Sequence, residues 1–233
     1  MKTETQKDSN FLAHDFTAPW QSKITKEQWI QFLTHTFHQE DREKVYELLH
    51  SYLESISPPQ SAVTNSAFYY KSPLTFLELG FGQCYDFAHC FMLLHDIETI
   101  EYTGQEVTPQ FVEFAREEFC KYNNYKFKVG DFNSLLKSDI IYTRHVLEHQ
   151  HPDNCYLFFE NILKATKKLC IISWFCPPGE EKFTWNDRDG FNHEGAYVNV
   201  YSKDKLNNLI EKYNFKLTSY LNNKIYYMRK NNE

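Results

Sequence analysis

The chain has 233 residues, with 25 Lys and Arg against 31 Asp and Glu, and its formal charge of −6 argues against the phosphate backbone of a nucleic acid as the main partner. Hydrophobic residues at 42% and aromatics at 17% are too many for a disordered chain. A mean hydropathy of −0.61 and the lack of a long apolar run argue against a membrane protein, leaving a soluble globular one.

The length suits one domain with an elaboration. The opening segment MKTETQKDSNFLAHDF carries acids and lacks the apolar stretch of a secretory signal, so a cytoplasmic location is expected. Cys84, Cys90, Cys120, Cys155, Cys170 and Cys176 form no CxxC pair, which indicates neither a disulfide framework nor a zinc knuckle.

Residues 1 to about 23 show no periodicity and read as an arm that Phe11, Phe16 and Trp20 can anchor. Thr25-Lys26-Glu27-Gln28 has the form of a capping box, and Trp29, Ile30, Leu33 and Phe37 follow at helical spacing. A second helix carries the stripe Val45, Leu48, Leu49, Tyr52, Leu53 and Ile56 and stops before Pro58-Pro59. Ser57 to Pro73, rich in Ser, Pro and Asn, reads as a linker. Residues 1–73 are thus an N-terminal arm with a helical lid, and 74–233 form the main domain.

After Pro73 short apolar runs alternate with amphipathic helices, the pattern of βα units on a parallel sheet. Strands are predicted at Leu74–Leu79, Thr99–Glu106, Lys126–Val129, Asp139–Tyr142 and Leu169–Phe175. A helix after the first strand turns Phe87, Phe91 and Leu94 inward, and another starts at Thr108-Pro109 and buries Phe111, Val112, Ala115 and Phe119. A third runs from about Pro152 to Ala165. Ser202 caps a last helix bearing Leu206, Leu209, Ile210 and Tyr213, which closes at Asn214. Phe215–Tyr220 and Lys224–Met228, joined by Leu221-Asn222-Asn223, should form an antiparallel hairpin. The expected fold is therefore α/β and Rossmann-like: a seven-stranded, mostly parallel sheet with an antiparallel C-terminal hairpin, helices on both faces and an N-terminal helical extension.

Three short segments carry chemistry. In Phe76-Leu77-Glu78-Leu79-Gly80-Phe81-Gly82-Gln83-Cys84-Tyr85-Asp86 the glycines permit a tight turn and let a ligand approach the backbone in front of a helix N-terminus. Tyr85 stands where a dinucleotide fingerprint needs its third glycine, which disfavours a nicotinamide oxidoreductase. Glu106, at the carboxyl end of the second strand, is placed to grip a ribose diol. At the end of the third strand the Asp131 carboxylate can accept from an exocyclic amine, and Phe132 can lie against a base. Each of the three is a weak signal alone, and a plain βα turn explains any one of them.

Taken in order, FLELGFGQCYD, YTGQEVTPQFVEFAR, KVGDF and IIYTRHVLEHQHP resemble the class I S-adenosylmethionine-dependent methyltransferases over roughly residues 74 to 229. The resemblance implies S-adenosylmethionine as cofactor. Glu78, Gly80 and Gly82 would form the methionine-side loop, Glu106 with Val107 would hold the ribose, Asp131 and Phe132 would frame the adenine, and Arg144 would join the cofactor set. Cys84 replaces a glycine common in the family, which keeps open a silent module with this fold that serves a partner enzyme.

Arg144-His145-Val146-Leu147-Glu148-His149-Gln150-His151-Pro152 sits at the mouth of the fourth strand, where a neutral imidazole can take a proton from an attacking group. HVLEH also has the form of a zinc-peptidase motif, but such ligands need a long helix, and no metal is assigned. Some quinone-pathway O-methyltransferases carry a similar acidic and histidine segment associated with a divalent metal; here only Glu148 and His149 match it. Residues 176–200 leave the fifth strand at the sheet's ligand-binding edge and read as a substrate loop, with Trp174, Trp185, Arg188 and Tyr197 as substrate contacts. Solvated packing explains any single one of these residues equally well.

The catalytic candidates are His145, His149 and His193, for O-methylation of a small polar molecule or glycan precursor; N-methylation is the alternative. No nucleic-acid or membrane partner is expected, and the oligomeric state is open between monomer and homodimer. Abundant Lys, Asn, Tyr and Phe suggest an AT-rich bacterial genome.

Overall fold

A computed structural model describes residues 39–56, 73–82, 100–186 and 196–231. The expected first helix with its capping box, the helix carrying Phe87, Phe91 and Leu94, and the candidates Arg188 and His193 lie outside these residues.

Helix α1 (Gln39–Ile56) buries the stripe its periodicity announces: Val45, Leu48, Leu49, Tyr52 and Leu53 are buried and Ile56 packs partly. Strand β1 (Leu74–Leu79) is flanked by β2 (Ile100–Glu106) and β4 (Ser138–Arg144), and β3 (Tyr125–Val129) lies outside β2. On the other side β5 (Thr166–Ser173) pairs with β4, followed by β9 (Ile225–Lys230) and β8 (Phe215–Tyr220). The order β3-β2-β1-β4-β5-β9-β8 is parallel through β5 and antiparallel beyond it. A short antiparallel pair, β6 (Trp185–Asn186) with β7 (Ala196–Tyr197), stands apart.

The sheet separates two cores. Alternate side chains of β1, such as Phe76 against Leu77 and Leu79, point to opposite faces. One face packs under α1 and α2 (Pro109–Glu118), with Phe111, Val112, Ala115 and Phe119 inward. The other packs under α3 (Cys155–Ala165) and α4 (Lys203–Lys212). Among the described residues no helix is long and apolar enough to cross a membrane.

Element boundaries shift from the sequence expectation for local reasons. Helix α3 begins at Cys155 rather than Pro152, because residues 152–154 form a turn in which Asn154 N donates to His151 O at 2.9 Å. Strand β5 begins at Thr166, directly after α3; the Thr166 hydroxyl donates to Ile162 O at 2.8 Å while its backbone is already extended. Strand β4 runs on to Arg144, because Arg144 still pairs with Ser173. Thr108 precedes α2 with Pro109 in the first turn but makes no side-chain cap bond, whereas the Ser202 hydroxyl accepts from Lys205 N at the start of α4. Asn214 has φ 61°, the left-handed residue expected after α4.

Candidate cofactor and acceptor site

The strand order reverses between β1 and β4, so the crevice beyond their carboxyl ends is the switch point at which open α/β sheets bind ligands. Both glycines of the turn after β1 are left-handed, with φ 64° at Gly80 and 48° at Gly82. Phe81 between them is buried, with its ring over Gly104 and edge-on to Phe127 at 5.4 Å, so this aromatic pins the turn to the core. Gly80 N donates to Gln105 O at 2.8 Å, tying the turn to β2.

Glu106 is buried, and its carboxylate joins the first two motifs. Oε2 accepts from Gly82 N at 3.0 Å, and Oε1 accepts from Val107 N at 2.8 Å and Thr108 N at 3.1 Å. Burial pushes its carboxyl above the ordinary value, against the lowering effect of these amides. Val107 beside it is exposed. Asp131 is exposed and braced by the backbone and side-chain amides of Asn133, each at 2.8 Å. Two further residues of the expected cofactor set turn inward: Phe132 stacks on Phe158 at 5.3 Å in the core, and Glu78 is buried, accepting from the Tyr102 hydroxyl at 2.6 Å.

At the end of β4 the histidines of the Arg144–Pro152 segment take different directions. His145 turns toward α1, where its Nε2 lies 3.2 Å from Asp41 Oδ2. The same oxygen accepts from Arg144 Nε at 3.1 Å and from the Ser173 hydroxyl at 2.8 Å. Burial would raise the Asp41 carboxyl, but the His145, Arg144 and Ser173 contacts outweigh it and hold the group well below the carboxylate range. His149 is instead drawn to β7, with Nδ1 2.7 Å from Tyr197 O, and burial lowers its proton affinity, which suits a neutral ring donating from Nδ1. His151 meets the ring of Tyr197 edge-on at 5.2 Å.

Glu148 is fully buried; its Oε1 accepts from Phe175 N at 2.5 Å, and burial raises its carboxyl. Asn199 N donates to Glu148 O at 2.9 Å and the Tyr201 hydroxyl to Leu147 O at 2.6 Å, so the described part of the 176–200 loop is fastened to the turn after β4. Trp174 is buried against Tyr201 and Tyr226, while Trp185 is exposed and edge-on to Tyr197 at 4.8 Å. Among the described residues no three His, Cys, Asp or Glu side chains are grouped to hold a metal ion.

A cavity of about 180 Å³ opens beside this cluster, lined by Glu40, Asp41, His145, Trp174, Phe175, Leu221 and Lys224. Sequence reasoning missed Asp41, Ser173, Leu221 and Lys224. An aspartate in the first turn of a helix is usual as a complement to the helix dipole, so nothing local marked Asp41 out.

The seven-stranded order, the glycine turn and the acid at the end of β2 define the fold of the class I S-adenosylmethionine-dependent methyltransferases. The structure is similar to magnesium protoporphyrin IX methyltransferase (ChlM) from Synechocystis PCC 6803 with bound SAH, with a TM-score of 0.55 and 12% identity over 96% of this chain and 95% of that one. It is also similar to the DszA carbon methyltransferase, with a TM-score of 0.57 and 13% identity over 86% of this chain and 57% of that one. The PH0226 protein from Pyrococcus horikoshii OT3 matches with a TM-score of 0.53 and 17% identity, covering 84% and 92% of the two chains. In sequence, 79 residues are 32% identical to the non-reducing polyketide synthase pigA of Monascus ruber; they make up 34% of this chain and span 3% of that protein. No protein-family model matches the chain.

Proposed function

We propose that this protein is an S-adenosylmethionine-dependent methyltransferase that methylates a hydroxyl group of a small polar molecule, with His145 as the general base. The observation that carries the cofactor assignment is the bond from Gly82 N to Glu106 Oε2 at 3.0 Å, which brings the glycine turn and the ribose acid into one site.

The residues present suit this cofactor. Among the described residues a β-carbon built on Gly82 meets only Gly80 O, at 4.0 Å, which leaves room among them for close approach by a ligand. Glu106 Oε2 accepts from Gly82 N, and a carboxylate oxygen can take a further donor such as a ribose hydroxyl, while the exposed Asp131 carboxylate can accept from the adenine amine. Arg144 and Val107 flank the same edge.

S-adenosylmethionine supplies an electrophilic methyl group on a sulfonium centre. The protein's contribution is positioning and exclusion of water. A hydroxyl acceptor needs a base at neutral pH, and among the described residues His145 is the histidine that lines the cavity; His149 is committed to Tyr197 O and serves to brace β7. We assign Trp185 and Tyr197 of the 176–200 loop, whose rings meet edge-on at 4.8 Å, as outer contacts for the acceptor.

Calorimetric titration with S-adenosylhomocysteine, with NAD as control, tests the cofactor assignment. Micromolar, saturable binding that disappears in Glu106→Ala is expected. Absence of binding by the wild-type protein overturns the proposal.

A further inference from the structure

Gln105 is a polar side chain buried in a central strand. It is the penultimate residue of β2, paired with Leu79 of β1 and 2% exposed, and its Oε1 is buried without a hydrogen-bond partner among the described residues. An amide oxygen in that condition costs stability that an apolar side chain of the same length would not. Packing therefore does not account for a glutamine here. The gain lies on the other half of the amide, where Nε2 donates to the backbone carbonyl of Asp131. Turning the amide round would not help, because it would set Oε1 against that carbonyl oxygen.

The residue after β3 makes room for this bond. A β-carbon built on Gly130 would lie 3.0 Å from Gln105 Nε2, 3.1 Å from Cδ and 3.3 Å from Cγ, and Gly130 is not among the left-handed residues, so its missing side chain serves close approach. The backbone of the same strand end is tied as well: Gly80 N donates to Gln105 O at 2.8 Å and Gly130 N to Glu106 O at 3.0 Å. Gln105 thus joins the glycine turn after β1, the strand end that carries Glu106 and the loop that carries Asp131.

We propose that Gln105 is the positioning residue for the purine edge of the cofactor: by holding the Asp131 carbonyl against the end of β2 it sets the Asp131 carboxylate where an exocyclic amine can donate to it, and so makes the site select adenine over hypoxanthine. This rests on the methyltransferase reading above. Asn133 fixes the carboxylate of Asp131 through its backbone and side-chain amides at 2.8 Å, and Gln105 fixes the carbonyl of the same residue. With both groups tied, the distance from this acid to Glu106, next to Gln105 in the chain, is set by the protein before the ligand arrives. Hypoxanthine carries a carbonyl oxygen in place of the amine, and a carboxylate held opposite it faces an acceptor with an acceptor.

Calorimetric titration of the full chain with S-adenosylhomocysteine and with S-inosylhomocysteine, its hypoxanthine counterpart, tests the assignment. Wild type should bind S-adenosylhomocysteine at least about tenfold more tightly. Gln105→Met, which keeps the length of the side chain and removes the amide, should weaken S-adenosylhomocysteine about tenfold and change S-inosylhomocysteine by less than about twofold, with a urea midpoint close to that of wild type. Asp131→Ala should abolish the discrimination, and adding Gln105→Met to it should cost S-adenosylhomocysteine nothing further, because Gln105 acts through the Asp131 carboxylate. Gly130→Ala, whose new methyl group crowds the amide, should shift the two affinities in the same direction as Gln105→Met, and it serves if that variant does not fold.

Equal binding of the two ligands by wild type, equal losses for both in Gln105→Met or Gly130→Ala, or a further loss in the double variant overturns the role of Gln105, and S-adenosylhomocysteine binding by the wild type in the same titrations leaves the methyltransferase reading standing. Binding of neither ligand by the wild type removes that reading and the Gln105 assignment with it.

Discussion

Val146 occupies the space that a side chain on Gly80 would need: a β-carbon built on Gly80 lies 2.4 Å from Val146 Cγ2. The residue after His145 thus closes over the glycine turn after β1, and the turn and the segment carrying His145 share one contact. Gly80→Ala should therefore fail twice, through overpacking and through φ 64°, and lose about 2–4 kcal/mol. Urea unfolding checks this. Adding Val146→Ala should recover the overpacking part and leave the conformational cost of about 1–2 kcal/mol.

Asp41 should govern acid stability. Its carboxyl is held below the ordinary 3.8, burial being outweighed by His145, Arg144 and Ser173, so the stabilisation it brings is present above that value and is lost as pH falls through and below it. Wild type should exceed Asp41→Asn in urea midpoint near neutrality, and the gap should close on acidification.

Glu148 carries the opposite sign. Burial holds its carboxyl above the ordinary 4.5, so its ionisation opposes folding: its contribution is most favourable below 4.5 and falls as pH rises. Glu148→Gln keeps an acceptor for Phe175 N and removes the charge. The variant's melting temperature relative to wild type should rise with pH, whereas Glu148→Ala, which leaves Phe175 N and the surrounding loop unsupported, should lose about 1–3 kcal/mol.

Trp185 is 44% exposed and touches Tyr197 edge-on, so its removal should cost less than about 1 kcal/mol of stability. If the loop holds the acceptor, Trp185→Ala should raise KM for the acceptor several-fold and leave S-adenosylhomocysteine affinity unchanged. Steady-state kinetics and calorimetry on the same preparation check both.

Much of the architecture was legible because its signals are local. The apolar stripe of α1, the bounds of β1 and β8, the Ser202 cap and the left-handed Asn214 each depend on a few neighbouring residues. The candidate cofactor edge was legible in part: Gly80, Gly82 and Glu106 meet in space, while Phe132, chosen for its position at a strand end, and Glu78, implied by the resemblance, turn into the core. That outcome depends on which face of the sheet each side chain takes and what already fills it. The directions of the histidines following β4 were not legible, because the turn sends His145 to α1 and His149 to β7.

The sequence by itself determined the βα alternation, the C-terminal hairpin and the glycine turn with its acid partner, since periodicity and turn chemistry act over a few residues. The tertiary structure alone decided that Asp41 meets Ser173, 132 positions away, and with Arg144 and His145 builds one site. The physical reason is that burying the apolar stripe of α1 on the sheet fixes where the helix's first turn lies, and nothing in the local pattern around Asp41 records the strand ends it will face.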